Sequence, residues 1–187
     1  MVDGGYDIAR DAQAFPIRLT DCMTHDSIAV NLPATSSADD MGLVTGTPGT
    51  NAPTLKGVDF GATTSDEKCA FQFALPHSYR DGETITLRCH AGMLTTISDG
   101  TATLDCECWS DDGDGTVSAD KCATAATTIN SLTLADVDFT ITPTGLVGGS
   151  LLNFRLAFIG SDTGNVGVMI PTITAITVLL DINPLEG

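Results

Sequence analysis

The residues from Ser110 to Lys121, SDDGDGTVSADK, form the densest set of potential metal ligands in the chain. Asp112, Asp114, Gly115 and Ser118 fall at the third, fifth, sixth and ninth places of a twelve-residue calcium loop. Ser110, however, stands at the first place and Lys121 at the twelfth, where a bidentate Glu normally closes the coordination shell. An ammonium group there repels the ion that the loop would have to hold. The segment therefore reads as a solvated strand connection whose Asp and Gly residues make turns, with a weak cation site as the alternative.

Other reactive side chains point to packing. His25, His77 and His90 are too scattered for a zinc site, and His90 and Cys89, as strand neighbours, face opposite ways. Cys106 and Cys108 share a face, and with Cys69 or Cys89 across a sheet they could bind metal. Their apolar company favours buried thiols acting as small hydrophobes. The six cysteines read as free, with one or two disulfides as the alternative. Asp39-Asp40 follows Ser36-Ser37 and suits turn or cap chemistry. Adjacent carboxylates such as these and Asp111-Asp112 lack the facing geometry of glycoside hydrolysis. No nucleophile elbow, zinc-helix motif, P-loop or dinucleotide fingerprint is present. The expectation is a chain without catalytic residues, metal or cofactor.

The elements that would carry these side chains are strands. Between Ser150 and Ile182, Leu152, Phe154, Leu156 and Phe158 alternate with Asn153 and Arg155. After a turn from Gly160 to Asn165, Ile176, Val178, Leu180 and Ile182 line one face. This period of two belongs to a half-buried strand, and the apolar faces require a second sheet to cover them. Further strands are predicted at Lys68–Leu75, with Cys69, Phe71, Phe73 and Leu75 inward, and after the turn at Arg80–Glu83, with Ile85, Leu87, Cys89 and Ala91 inward. Beyond a turn at Ser98–Gly100, Ala102, Leu104, Cys106 and Cys108 face inward, and the two segments read as neighbours in an antiparallel meander. Cys122–Ala126 suggests a short helical turn, and Val137, Phe139 and Ile141 a further strand.

About eight strands without helical crossovers predict an all-β, antiparallel β-sandwich of the jelly-roll type over residues 55–187. An immunoglobulin-like topology fits less well, because Cys108 and Trp109 are adjacent. Residues 1–54, broken by Gly and Pro, read as an extended N-terminal arm with short extended pieces at Phe15–Thr20 and Ser27–Leu32. Phe15, Ile17 and Leu19 share a face there and are the candidate partner-binding residues.

The chain's 187 residues and 42% hydrophobic content suffice for one core. Eight Lys and Arg against 24 Asp and Glu give a net charge of -16, spread along the sequence. That balance argues against nucleic-acid partners and anionic membranes, which recruit cationic surfaces. The first residues show neither a basic nor an apolar signal region, and no window is apolar enough to span a bilayer, so synthesis in a cytoplasm is expected.

The segment FQFALPHSYRDGETITLRCHAGMLT, from Phe71 to Thr95, resembles small β-sandwich proteins encoded with the head genes of tailed bacteriophages and related prophages. FPIRLTD from Phe15, and LPAT from Leu32 followed by Asp39-Asp40, share that resemblance. It implies a capsid decoration, or cement, protein: a jelly roll on the outer capsid surface of the virion, binding the major capsid protein. It further implies a homotrimer whose N-terminal arm makes inter-subunit contacts. A non-catalytic carbohydrate- or receptor-binding β-sandwich, stabilised by calcium, is the alternative.

Overall fold

A computed structural model describes residues 12–183 apart from 28, 38, 48–49, 63, 96–99, 112 and 165–166. Ten strands are present among the described residues: β1 (Ala12–Ile17), β2 (Gly42–Val44), β3 (Thr54–Lys56), β4 (Ser65–Ala74), β5 (Ile85–Thr95), β6 (Gly100–Ser110), β7 (Thr127–Thr128), β8 (Ala135–Ile141), β9 (Leu151–Asp162) and β10 (Ile170–Asp181). Their pairings are antiparallel and build two sheets. The first runs β2-β3-β10-β5-β8, with β1 also paired to β10, and the second runs β4-β9-β6-β7.

Within β3 to β10, the first strand lies beside the eighth and the second beside the seventh, and the two sheets interleave along the chain. This is the wrapping of an eight-stranded jelly roll. The alternating apolar residues explain the core between the layers: Cys69 and Phe71 from β4, Leu104, Cys106 and Cys108 from β6 and Phe154, Leu156 and Phe158 from β9 meet Ile85, Leu87 and Cys89 from β5, Phe139 from β8 and Val178 from β10, all buried. Phe71 stacks on Phe154 with ring centroids 5.1 Å apart, directly across the β4–β9 register.

Three local expectations are corrected. β5 and β6 are not neighbours in a meander but lie in different sheets, as do β9 and β10. Periodicity reports which face of a strand is buried and says nothing about which layer the strand joins. Cys122–Ala126 is not helical: Cys122 bridges Ile141 and the Ala123 N–H donates to the Thr140 carbonyl at 2.8 Å. Ser27–Leu32 is not extended throughout, because the Val30 N–H donates to the Ser27 carbonyl at 2.9 Å and closes a turn. The expected turn residues Ser98 and Asp99 lie outside the described residues, as do Asn165 and Val166.

Residues 12–44 lie along one side of the sandwich and touch both layers. β1 pairs with β10 and β2 with β3 in the first sheet. Met23 exchanges backbone hydrogen bonds with Ala70 at 2.8 and 2.9 Å, and the Met41 N–H donates to Lys68 at 2.9 Å, so the same segment covers the β4 edge of the second sheet.

Candidate partner-contact surface

The apolar alternation of Phe15, Ile17 and Leu19 is used within the chain itself. Phe15 sits edge-on to Phe73 at 5.8 Å, Ile17 packs against the core, and Leu19 is buried in a single 3-10 turn, Leu19–Asp21. What β1 leaves open is its outer edge: among the described residues it pairs with β10 alone, and Gln13 and Ala14 are exposed beside that edge. An unpaired strand edge offers backbone donors and acceptors that another chain can continue. Just beyond β1, Arg18, Leu19, Thr20, Ala52, Pro53 and Thr174 line an open hollow of about 350 Å³. Residues 1–11 of the expected arm lie outside the described residues.

The outer faces of both sheets are polar, and their charges are largely paired. On the first sheet Arg88 makes a two-pronged contact with Asp138, both bonds at 2.7 Å, while His90 Nδ1 lies 2.8 Å from Asp136. The Arg88 hydrogen bonds hold the Asp138 carboxyl below its ordinary range. On the second sheet Arg155 pairs with Glu107 and lies over the Trp109 ring, 5.2 Å from its centroid. The Gln72 side-chain amide donates to Asn153 at 2.7 Å in the neighbouring row.

In the acidic loop the carboxylates serve backbone geometry. Asp114 Oδ1 accepts the Thr116 hydroxyl at 2.6 Å and the Thr116 N–H at 2.9 Å, contacts that hold its carboxyl below the ordinary range. Asp111 Oδ1 accepts the Gly113 N–H at 2.7 Å, and Asp120 Oδ1 accepts the N–H groups of Cys108 and Cys122, both at 2.9 Å. Asp112, part of the expected calcium pattern, lies outside the described residues.

Sequence reasoning missed one cluster. His25 Nδ1 lies 3.2 Å from Asp40 Oδ1, and the ligand atoms of His25, Asp26 and Asp40 fall within 4.8 Å of one another. His25 and Asp40 stand fifteen positions apart, and only the adjacent bridges onto β4 bring them together. No local motif announces such a meeting. All six cysteines carry free thiols; five are buried and Cys122 is half-buried.

No known sequence family matches this chain, and no curated protein matches it. Similar solved structures include the tandem CBM22 domains of Paenibacillus barcinonensis Xyn10C, at 11% identity and a TM-score of 0.49, covering 96% of this chain and 49% of that one. An arabinose-bound GH51 α-L-arabinofuranosidase matches at 11% identity and a TM-score of 0.43, covering 89% and 23%. The ANX2 ectodomain from Arabidopsis thaliana matches at 9% identity and a TM-score of 0.35, covering 92% and 42%. The chain thus spans less than half the length of each. The strand pairings themselves define its class, an antiparallel β-sandwich.

Proposed function

We propose that this chain is a structural virion protein that decorates and cements the outer surface of a phage capsid by binding major capsid protein subunits, acting as a homotrimer and without catalysis. The observation that carries this reading is the open outer edge of β1, fixed on a sandwich whose faces present paired polar groups. The resemblance of Phe15–Asp21 and Phe71–Thr95 to head-gene sandwich proteins supports the choice of partner. The net charge of -16 suits a surface turned away from packaged DNA. Fold alone does not select this role, since jelly rolls also serve lectins.

The test adds purified protein to capsids lacking it and measures occupancy by electron microscopy. Wild type binds at saturating, symmetry-related positions, and the double variant Gln13→Lys/Ala14→Lys, which places charge beside the β1 edge, loses occupancy. Failure of the wild type to bind overturns the function, and undiminished binding by the variant overturns the role of the edge.

A second reading, a non-catalytic carbohydrate- or receptor-binding module, draws on the outward Trp109 with Arg155 over its ring, beside the Gln72–Asn153 amide pair. Retention on a polysaccharide matrix that is lost in Trp109→Ala supports this reading over the first.

A further inference from the structure

We propose that His25, Asp26 and Asp40 bind a divalent transition ion of the zinc class, which pins two stretches of the N-terminal segment to each other where both bridge onto β4. The three ligand atoms fall within 4.8 Å of one another, and His25 Nδ1 stands 3.2 Å from Asp40 Oδ1. Two ligand atoms on one zinc, each about 2.1 Å from it, stand roughly 3.0 to 3.4 Å apart for angles between octahedral and tetrahedral. The His25–Asp40 pair therefore already has the bite that one ion needs. Asp26 is exposed and able to rotate toward them, and water completes the shell.

The backbone fixes the two inner ligands without help from an ion. Met23 exchanges hydrogen bonds with Ala70 at 2.8 and 2.9 Å, just before His25. The Thr24 N–H donates to the Val30 carbonyl at 3.0 Å and its hydroxyl to the Ser27 carbonyl at 2.9 Å, so His25 and Asp26 sit in a closed loop. On the other stretch the Lys68 N–H donates to the Asp39 carbonyl and the Met41 N–H to the Lys68 carbonyl, both at 2.9 Å, on either side of Asp40. The His25 and Asp40 side chains are only 18% and 19% exposed. Ligands held on such a frame lose little freedom when they close on an ion.

Charge favours a cation here. Asp26 and Asp40 are two carboxylates, and among the described residues no Lys or Arg forms an ion pair with either; Lys68 on β4 pairs with Asp66 instead. The imidazole narrows the class, because calcium and magnesium take oxygen ligands whereas ring nitrogen beside carboxylate suits zinc and its neighbours. The ion takes the place of the hydrogen between Nδ1 and Asp40, and the ring keeps its proton on Nε2, the neutral tautomer that leaves Nδ1 open to ligate.

The outer face of the first sheet supplies the contrast. His90 Nδ1 also meets a carboxylate, Asp136, at 2.8 Å, but Arg88 stands 3.5 Å from the same carboxylate and repels a cation. Among the described residues no third ligand joins that pair.

The folded full-length chain, stripped with chelator and dialysed, is titrated with zinc chloride by calorimetry, and its melting midpoint is followed over the same zinc range. Wild type binds one zinc ion and melts higher as zinc rises. His25→Ala and Asp40→Ala each weaken binding by more than about tenfold, since a lost ligand costs at least as much as a lost supporting hydrogen bond. Cys122→Ser, which removes the half-buried thiol, binds as wild type does. Absence of zinc binding by the wild type overturns the proposal, as do equal affinity in His25→Ala and loss of binding in Cys122→Ser. Calcium bound more tightly than zinc overturns the class of ion. Where His25→Ala fails to fold, Asp26→Ala at its exposed position gives the comparison, with weakened binding expected and undiminished binding against the site.

Discussion

The buried carboxylate of Glu67 accepts the Val58 N–H on Oε2 at 2.8 Å, while its Oε1 meets no donor. Gly57 makes the approach possible, since a Cβ there would come within 2.3 Å of Oε2. Burial raises the Glu67 pKa from 4.5 to about 7, opposed by the Val58 hydrogen bond and aided by Asp66. Between those two values the folded chain keeps a proton that the unfolded chain has released. Its contribution to stability is therefore present below pH 4.5, falls as pH rises toward 7, and is level above. Glu67→Gln removes this titration. The stability of wild type minus that of the variant, measured by urea unfolding from pH 4 to 8, should fall by about 3 kcal/mol at most across the window. A difference that does not vary with pH contradicts the assignment.

Gly160 lies under Phe60, and a Cβ at this position would come within 2.3 Å of the Phe60 ring and 2.4 Å of the Thr101 carbonyl oxygen. Backbone cannot retreat as a flexible side-chain tip can. Gly160→Ala should cost about 1–3 kcal/mol of stability through overpacking. A double-mutant cycle with Phe60→Ala should show part of that cost relieved. Additive losses would mean that the ring is not what resists the methyl group.

The Arg88–Asp138 pair is well aligned but 40% and 44% exposed, so solvent screening keeps its worth small. Because the folded Asp138 carboxyl titrates below 3.8, the pair's contribution holds above that value and is lost as pH falls through the lowered one. Arg88→Lys keeps the charge and loses the fork, and its deficit should shrink in acid and in high salt. Melting curves at pH 7 and pH 2, with and without 1 M salt, measure this; a deficit unaffected by either condition points to lost packing of the Arg88 stem instead.

The period-two pattern made β4, β5, β6, β8, β9 and β10 legible, because each strand carries its own record of which face is dry. Layer membership was not legible: Leu87 and Leu104 look alike in sequence, yet they face each other's sheets across the core. Before β3 the Gly and Pro content reads as punctuated chain, and it could not reveal that Met23 and Met41 would each find a backbone partner on β4. Such single bridges depend on a tertiary surface already in place. For the same reason His25 and Asp40 meet without a motif.

Asp120 lies within the stretch that resembles a calcium loop, and in the fold it is a structural acceptor. One of its oxygens accepts both the buried Cys108 N–H of β6 and the Cys122 N–H two residues further on. Asp120→Ala leaves two donors without that partner and should cost about 1–3 kcal/mol, close to the desolvation penalty of an orphaned buried group. Asp120→Asn retains an equivalent oxygen and should recover most of the loss, although a neutral acceptor bonds more weakly than a charged one. If the carboxylate held a cation instead, chelator would lower the wild-type melting midpoint and leave Asp120→Asn unchanged. Urea unfolding of the three proteins with and without chelator separates the cases: the structural role gives the order wild type, Asn, Ala, with no shift on chelation.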